Sequence, residues 1–435
     1  MAQALPTSSS RADAAPASTV ATPSRAKLIA AASLGNGLEM FDFTVFSFFA
    51  AIIGQLYFPS DTPYGSLLMA VGVFGVGFVM RPLGSMVLGA YADRHGRKQA
   101  MLLTISLMGL GSALIAFTPT HAQIGIAAPL ILLLGRLLQG FSAGGEIGAA
   151  TTLLLESASP GRRGFHVSWQ VISQGGSALL GAGLGALLTR SLSEAELHAW
   201  GWRIPFLVGL LIIPVGLYIR RQVDETWSGA GTVEGGPVRA FLREHPRRFG
   251  LGLLIVMSAT LLTYLMQFYM PTYMTRIVGL PATSAYLAGV ASSAVQMAAA
   301  LAAGLLLDRF GRYKPVALIS LAVALLGIYP AFVWLNDPTT QGLAFAARFV
   351  VITAMSVNMT AGLLLILAGL PRPVRATGLA MTYALAVTLF GGTAQFIATW
   401  LIGATGSPLA PAWYLIGMLL IGWLALLSYP ERHLD

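Results

Sequence analysis

Two carboxylates, Glu39 and Asp42, stand three residues apart inside the apolar run 28–57. That spacing places both on one face of a helix. An ionised group at the centre of a membrane costs about 2.5–3.5 kcal/mol on insertion scales, so acids kept there have a task or a partner. Two acids this close in a low dielectric favour holding a proton between them, which suits a site that loads and unloads protons. Asp42 is assigned to proton coupling. Glu39 fits that role and neutralisation by an arginine equally, and Glu146, a third acid in the run 124–155, fits a proton path or a basic partner.

Arg136 lies in that same run with Gln139 one turn on. A guanidinium there must be paired or face an aqueous cavity, and Asp42 is its natural partner. If protonation of Asp42 frees Arg136, its planar fork can grip a substrate carboxylate with two hydrogen bonds; the alternative is a purely structural pair. Gln170, Tyr264, Gln267, Arg348 and Asn358 complete the candidate substrate ligands. Arg348 would supply the second cation that a polyanion needs. Residues of these types also pack or hydrogen-bond between helices in bundles.

The elements that must position these residues are membrane helices. Hydrophobic residues make up 56% of the 435 positions and charged residues 10%, against roughly 25% charged in soluble domains. Twelve apolar runs, near 28–57, 64–90, 99–118, 124–155, 165–189, 202–219, 248–275, 283–307, 315–334, 341–369, 376–403 and 410–429, are long enough for helices of about 20 residues. With both termini cytoplasmic, the cytoplasmic segments hold 20 of the 26 basic residues, which fixes the orientation. Residues 1–27, rich in Ala, Ser, Thr and Pro and with no apolar stretch, form a cytoplasmic tail expected to be disordered. The expected division is a six-helix bundle at 28–219, a cytoplasmic linker at 220–247 and a second bundle at 248–430.

A charged turn occurs twice. Gly89-x-x-x-Asp93-Arg94-x-Gly96-Arg97 returns as Gly304-x-x-x-Asp308-Arg309-x-Gly311-Arg312, with Asp308 215 positions after Asp93. Duplication of this kind implies two similar halves with a substrate site between them. Asp93, at a helix end, is placed to accept from backbone N–H groups of a neighbouring helix and to pair with Arg97. Asp93, Arg94, Gly96 and Arg97, with Asp308, Arg309 and Arg312, are therefore gating candidates. Glu156 with Arg162 and Arg163 would extend the same gate.

The duplicated turn resembles the signature between helices 2 and 3 of the major facilitator superfamily. Gly35-Asn-Gly-Leu-Glu39-Met-Phe-Asp42-Phe43, Met80-Arg81-Pro82, Gly135-Arg136-Leu-Leu-Gln139-Gly140, Gly144-Gly145-Glu146 and Trp200-Gly-Trp202-Arg203-Ile-Pro205-Phe206 resemble its metabolite:proton symporter family. Phe after Asp42 is similar to the citrate and tricarballylate branch, while Gln395 stands where the citrate-type pattern has Pro. The resemblance implies a twelve-helix major facilitator fold and places Arg136 like the helix 4 arginine of sugar–proton porters, which partners a helix 1 acid. Arg81 recurs in members with unrelated solutes, which implies support or gating. Arg203, beside Trp202, is expected to anchor the membrane interface.

Enzyme chemistry finds no footing. There is no His-Glu-x-x-His and no Walker loop, the six His are scattered, and the chain has no Cys. The expectation is a multi-pass protein of the bacterial inner membrane that imports a small carboxylate with protons by alternating access. It would need no cofactor or metal, bind lipid but no nucleic acid, and act as a monomer. The alternatives are another small metabolite (2-oxoglutarate, shikimate, betaine or proline), drug efflux, or a transport-inactive sensor.

Overall fold

The protein is described by a computed structural model covering residues 25–95, 97–210, 214, 243–371 and 375–431; within these, side chains at 25–28, 31, 89, 90, 92–94, 97, 98, 101, 145–149, 376 and 377 are not described. The linker 220–247 therefore lies outside this description up to residue 242. The chain is already helical from Arg25, three residues inside the segment expected to be tail.

Eleven of the twelve apolar runs are helical, and the sixth is described only to residue 210 apart from residue 214. The first span is two helices, α1 (Arg25–Phe48) and α2 (Ala50–Tyr57), bent by 62° at Phe49. The second and third are α3 (Gly65–His95) and α4 (Arg97–Phe117). The fourth is α5 (Ala127–Ser142) continued by α6 (Glu146–Glu156), and the fifth is α7 (Arg163–Ser191). After the short α8 (Glu194–Ala199), a tight turn at Gly201–Arg203 opens the sixth.

In the second half the seventh span is α9 (Pro246–Leu262), a π-helical stretch at Thr263–Tyr269 and α10 (Met270–Arg276). Then come α11 (Ala282–Phe310), α12 (Tyr313–Leu335) and α13 (Gln341–Gly369). The eleventh span is α14 (Arg375–Ala386), a second π stretch at Val387–Gly391 and α15 (Gly392–Thr405), and the twelfth is α16 (Ala410–Ser428). Among the described residues, eight of these rods are long and apolar enough to cross a membrane alone, or nine if the bent first pair is one span.

Helices in lipid gain little from the hydrophobic effect against each other, so they pack where small residues let backbones approach. A Cβ on Gly140 would land on the carbonyl of Gly77, locking α5 to α3, and one on Gly84 would strike the carbonyl of Phe141. Across the halves, a Cβ on Gly75 would lie 2.5 Å from the carbonyl oxygen of Gly392. Helix ends are tied by side chains. Arg203 donates to the carbonyls of Ala116 and Thr118, both at 2.9 Å, and Tyr57 donates to Thr118 at 2.6 Å. The arginine expected at the membrane interface thus caps the open carbonyls of α4.

Overpacking such a contact costs typically ~1–3 kcal/mol. Gly140→Ala should lower the detergent melting temperature, whereas Gly183→Ala, whose added Cβ meets nothing within 4 Å, should leave it unchanged or raise it. Thermal unfolding of the two variants side by side checks this.

Candidate functional site

Four charged groups meet inside the first half. Glu39 and Asp42 of α1 are 1% and 3% exposed, and Arg81 of α3 and Arg136 of α5 are 2% and 0% exposed. Glu39 Oε1 lies 3.0 Å from Arg81 Nη2. No hydrogen-bond acceptor lies in line with that nitrogen, so the contact is a charge pair rather than an aligned hydrogen bond. The expected direct pairing of Asp42 with Arg136 is not what the structure has: no ion pair joins these two side chains.

Asp42 and Arg136 are joined in series instead. Ser112 of α4 donates to Asp42 Oδ2 at 2.6 Å, Gln139 Nε2 donates to Ser112 Oγ at 2.9 Å, and Arg136 Nη1 donates to Gln139 Oε1 at 2.7 Å. Every donor in the chain points toward the carboxylate. Gly209 of the sixth span closes the far side, since a Cβ there would sit 2.8 Å from Asp42 Oδ1. The two acids, expected to act as a pair on one helix face, thus have partners on different helices. The ion pair fails because Ser112 and Gln139 occupy the space between the charges.

Aromatic rings take over the neutralisation of Arg136. Its guanidinium carbon lies 4.6, 4.5 and 5.1 Å from the ring centres of Phe43, Phe46 and Phe74. Arg81 lies 4.6 Å from both Phe43 and Phe78, so Phe43 serves both cations. Desolvated contacts of this kind are worth about 2 kcal/mol. Arg136 Nε and Nη2 still have no acceptor, which leaves one edge of its fork unused.

The second half presses a tyrosine onto these rings. Tyr264, on the π stretch of the seventh span, is 6.1 Å from Phe74 and 5.5 Å from Phe78, and continues to Phe268 at 5.3 Å. Beyond it, Ser47 donates to the Phe268 carbonyl at 3.2 Å and accepts from Gln395 at 2.7 Å. Tyr286 of α11 donates to the Phe48 carbonyl at 2.9 Å, and Thr388 to the Phe78 carbonyl at 2.9 Å. Gln267 donates to Ser293 at 2.6 Å within the second half.

At the end of the bundle carrying the charged turns, Asp308 Oδ1 and Oδ2 accept from the backbone amides of Gly164 and Phe165 at 2.6 and 2.8 Å. This is the contact expected of Asp93, seen at its repeat, and it joins α11 to the N-terminus of α7. The side chains of Asp93, Arg94, Arg97 and Glu146, and all of Gly96, lie outside the described residues. Arg309, Arg312 and Glu156 are exposed.

Three expected ligands are placed elsewhere. Gln170 exchanges hydrogen bonds with Asn36, at 2.8 Å to its side-chain oxygen, and ties α7 to α1. Asn358 donates to the Ala317 carbonyl of α12 at 3.0 Å. Arg348 donates to the Met266 carbonyl at 3.2 Å and borders a cavity of about 10 Å3 lined by Met266, Met270, Met274 and Phe345. That space is too small for a carboxylate, and its walls all belong to the second half. Nothing in the sequence marks Ser112, Phe46, Phe74 or Phe78 within their apolar runs, and Phe43 stood out only as part of a family motif.

The Major Facilitator Superfamily profile matches residues 32–295 and a Sugar (and other) transporter profile matches residues 217–433. The chain belongs to the major facilitator superfamily. It is 36% identical to a citrate-proton symporter of Salmonella typhi, over 89% of this chain and 90% of that one. It is 34% identical to an alpha-ketoglutarate permease of Escherichia coli, over 93% of each. The crystal structure of a D-xylose-proton symporter shares the fold, with a TM-score of 0.77 at 17% identity, covering 93% of this chain and 98% of that chain. Its symporter relatives and its long apolar helices make it a multi-pass protein of the bacterial inner membrane, and a transporter rather than an enzyme.

Breaking a buried ion pair from one side costs about 3–5 kcal/mol, whereas replacing both partners by apolar groups is often near neutral. Glu39→Gln should strongly destabilise the protein, and adding Arg81→Met should restore most of the loss. A double-mutant cycle on thermal unfolding in detergent reads the coupling.

Proposed function

We propose that this transporter couples the import of a small di- or tricarboxylate to protons by alternating access. The observation that carries the reading is the series Asp42–Ser112–Gln139–Arg136, which ends on two guanidinium nitrogens without acceptors. With Glu39 and Asp42 ionised, the two arginines are balanced. Protonation of Asp42 leaves one net positive charge, and a substrate carboxylate at Arg136 restores neutrality. Proton and anion are thereby drawn into the same state.

Ser112 makes the exchange possible without stranding a polar group. Its single proton has two acceptors, Asp42 Oδ2 at 2.6 Å and the Met108 carbonyl at 3.1 Å. When Asp42 is ionised, Ser112 donates to it. When Asp42 carries a proton, its O–H donates to Ser112 Oγ, the serine turns to Met108, and Gln139 keeps its bond in both states.

The excess of Lys and Arg on one side supports cytoplasmic termini, a first bundle at 28–219, a cytoplasmic linker at 220–247 and a second bundle at 248–430. In this orientation Asp308 on Gly164 and Phe165 latches the inner side, with Asp93, Arg94, Gly96 and Arg97 as its repeat-related counterpart. Ser47, Phe48 and their partners close the outer side. Substrate reaches Arg136, Tyr264 and Gln267 when one latch opens. A monomer within lipid suffices for this cycle. One charge moved through 100 mV is worth about 2.3 kcal/mol, so a tricarboxylate enters partly protonated or with further protons.

Uptake of labelled citrate and 2-oxoglutarate into proteoliposomes, with and without an inward proton gradient, tests the reading. Gradient-driven accumulation should occur and should be lost in Asp42→Asn, which still binds substrate, now independently of pH. Ser112→Ala should shift the pH profile of uptake while leaving affinity at the optimum within a fewfold. Absence of carboxylate transport, or an unchanged gradient response in Asp42→Asn, would sink the proposal.

The latch has its own test, helped by the absence of native Cys. Spin labels at Glu156→Cys and Phe310→Cys should report a longer distance when Asp308→Asn is added, because the amide sets an NH2 donor against one of the two backbone N–H groups. An unchanged distance distribution would remove Asp308 from the gate.

A further inference from the structure

The first half presents unused donors on Arg136. In the second half the unpartnered side-chain atoms include the amide oxygens Gln267 Oε1, Gln395 Oε1 and Gln296 Oε1, the last packed against Gly175 on the far side of the seam. Gln267 and Gln395 are 0% exposed in this closed arrangement.

Their orientation follows from their partners. Ser293 spends its only proton on the Gly289 carbonyl at 2.9 Å, so the group 2.6 Å from its oxygen must be the amide nitrogen of Gln267. Ser47 likewise donates to the Phe268 carbonyl at 3.2 Å, so Gln395 must turn its nitrogen to Ser47 at 2.7 Å. A hydroxyl has a single proton to give. Each serine therefore holds its glutamine with the carbonyl oxygen free. Ser47 touches the backbone of the residue after Gln267 as well as the side chain of Gln395. Tyr264, one turn before Gln267, leads from there to the rings around Arg136.

We infer that this pair of oxygens is a specificity subsite for a hydrogen-bond donor on the substrate, so that the protein selects hydroxycarboxylates over carboxylates lacking the hydroxyl. The inference rests on the carboxylate reading above and names the substrate class within it. A buried acceptor left without a donor is costly, and a site built to bond a hydroxyl rejects the analogue without one. A plain or keto acid offers no donor in its ionised form, and a quaternary ammonium offers none at all. A protonated amine would call for a counter-ion. The only acid in the membrane helices of the second half is Asp308, committed to the latch at the far end. Neutral amide oxygens suit a neutral hydroxyl.

Citrate and tricarballylate, which differ only by the hydroxyl, make the test, with malate and succinate as a second pair. Each is titrated as an inhibitor of uptake of whichever labelled carboxylate the proteoliposomes accumulate. The hydroxy acid of each pair should inhibit at about tenfold lower concentration or less. Gln267→Leu and Gln395→Leu should bring the ratio below about threefold by weakening inhibition by citrate more than inhibition by tricarballylate. Equal inhibition within both pairs by the unaltered protein overturns the inference and leaves the symporter reading standing. A preference untouched by either substitution overturns the assignment to these glutamines. Failure to accumulate any carboxylate overturns the reading on which the inference rests, and the inference with it.

Discussion

A guanidinium cannot rest alone in hydrocarbon, and the first half of this protein is arranged around two of them. Arg81 has Glu39 at 3.0 Å. Among the described residues Arg136 forms no ion pair, and it is held by the faces of Phe43, Phe46 and Phe74 and by Gln139. The difference matters because a tight ion pair at Arg136 would leave nothing for an anionic substrate. Rings stabilise the cation without using its N–H groups, so the charge is tolerated while its hydrogen-bonding edge stays available. The intervening Ser112 keeps Asp42 near enough to alter the local charge balance without saturating the fork.

Contacts between the halves are of a kind that can be broken. They run mostly from hydroxyls and one amide to backbone carbonyls or hydroxyls, as at Ser47, Tyr286 and Thr388, and from backbone amides to one carboxylate at Asp308. Each neutral bond has a net worth of about 0.5–1.5 kcal/mol. Ends closed this way separate at modest cost, and water can take over both partners once they part. The buried Glu39–Arg81 pair, by contrast, lies wholly within one half and need not move in such a cycle.

Much of this was legible in the sequence. The apolar runs located the helices, because a span needs a minimum length and few charges. Burial of Glu39, Asp42, Arg81 and Arg136 followed from their positions in those runs, and the contact made by Asp308 followed from the repeated turn. Partner choice was not legible, since it depends on how each helix is rotated about its axis. Arg81 and Arg136 are both one basic residue in an apolar run, and only the packing of α1 against α3 gives Glu39 to the first. Ser112 carries no signal because a serine inside a helix usually bonds back to its own turn. Arg348 looked like a second substrate cation for the same reason that Arg136 did, but its helix turns it toward Met266.

The duplication of the fold does not extend to its chemistry. The buried Glu39, Asp42, Arg81 and Arg136 lie on α1, α3 and α5, while Gln267 and Gln395 at the seam of the second half are neutral. Both lie on or next to π-helical stretches, Thr263–Tyr269 and Val387–Gly391. A π turn admits one extra residue per turn and shifts side chains around the helix axis, which is one way for an ancestral face to be re-aimed without changing the packing at either end. No residue type announces such a stretch. In the proposed cycle this separates two demands that would conflict in a symmetric site: the first half changes charge, and Gln267, held by Ser293 of its own half, keeps its hydrogen bond while it does so.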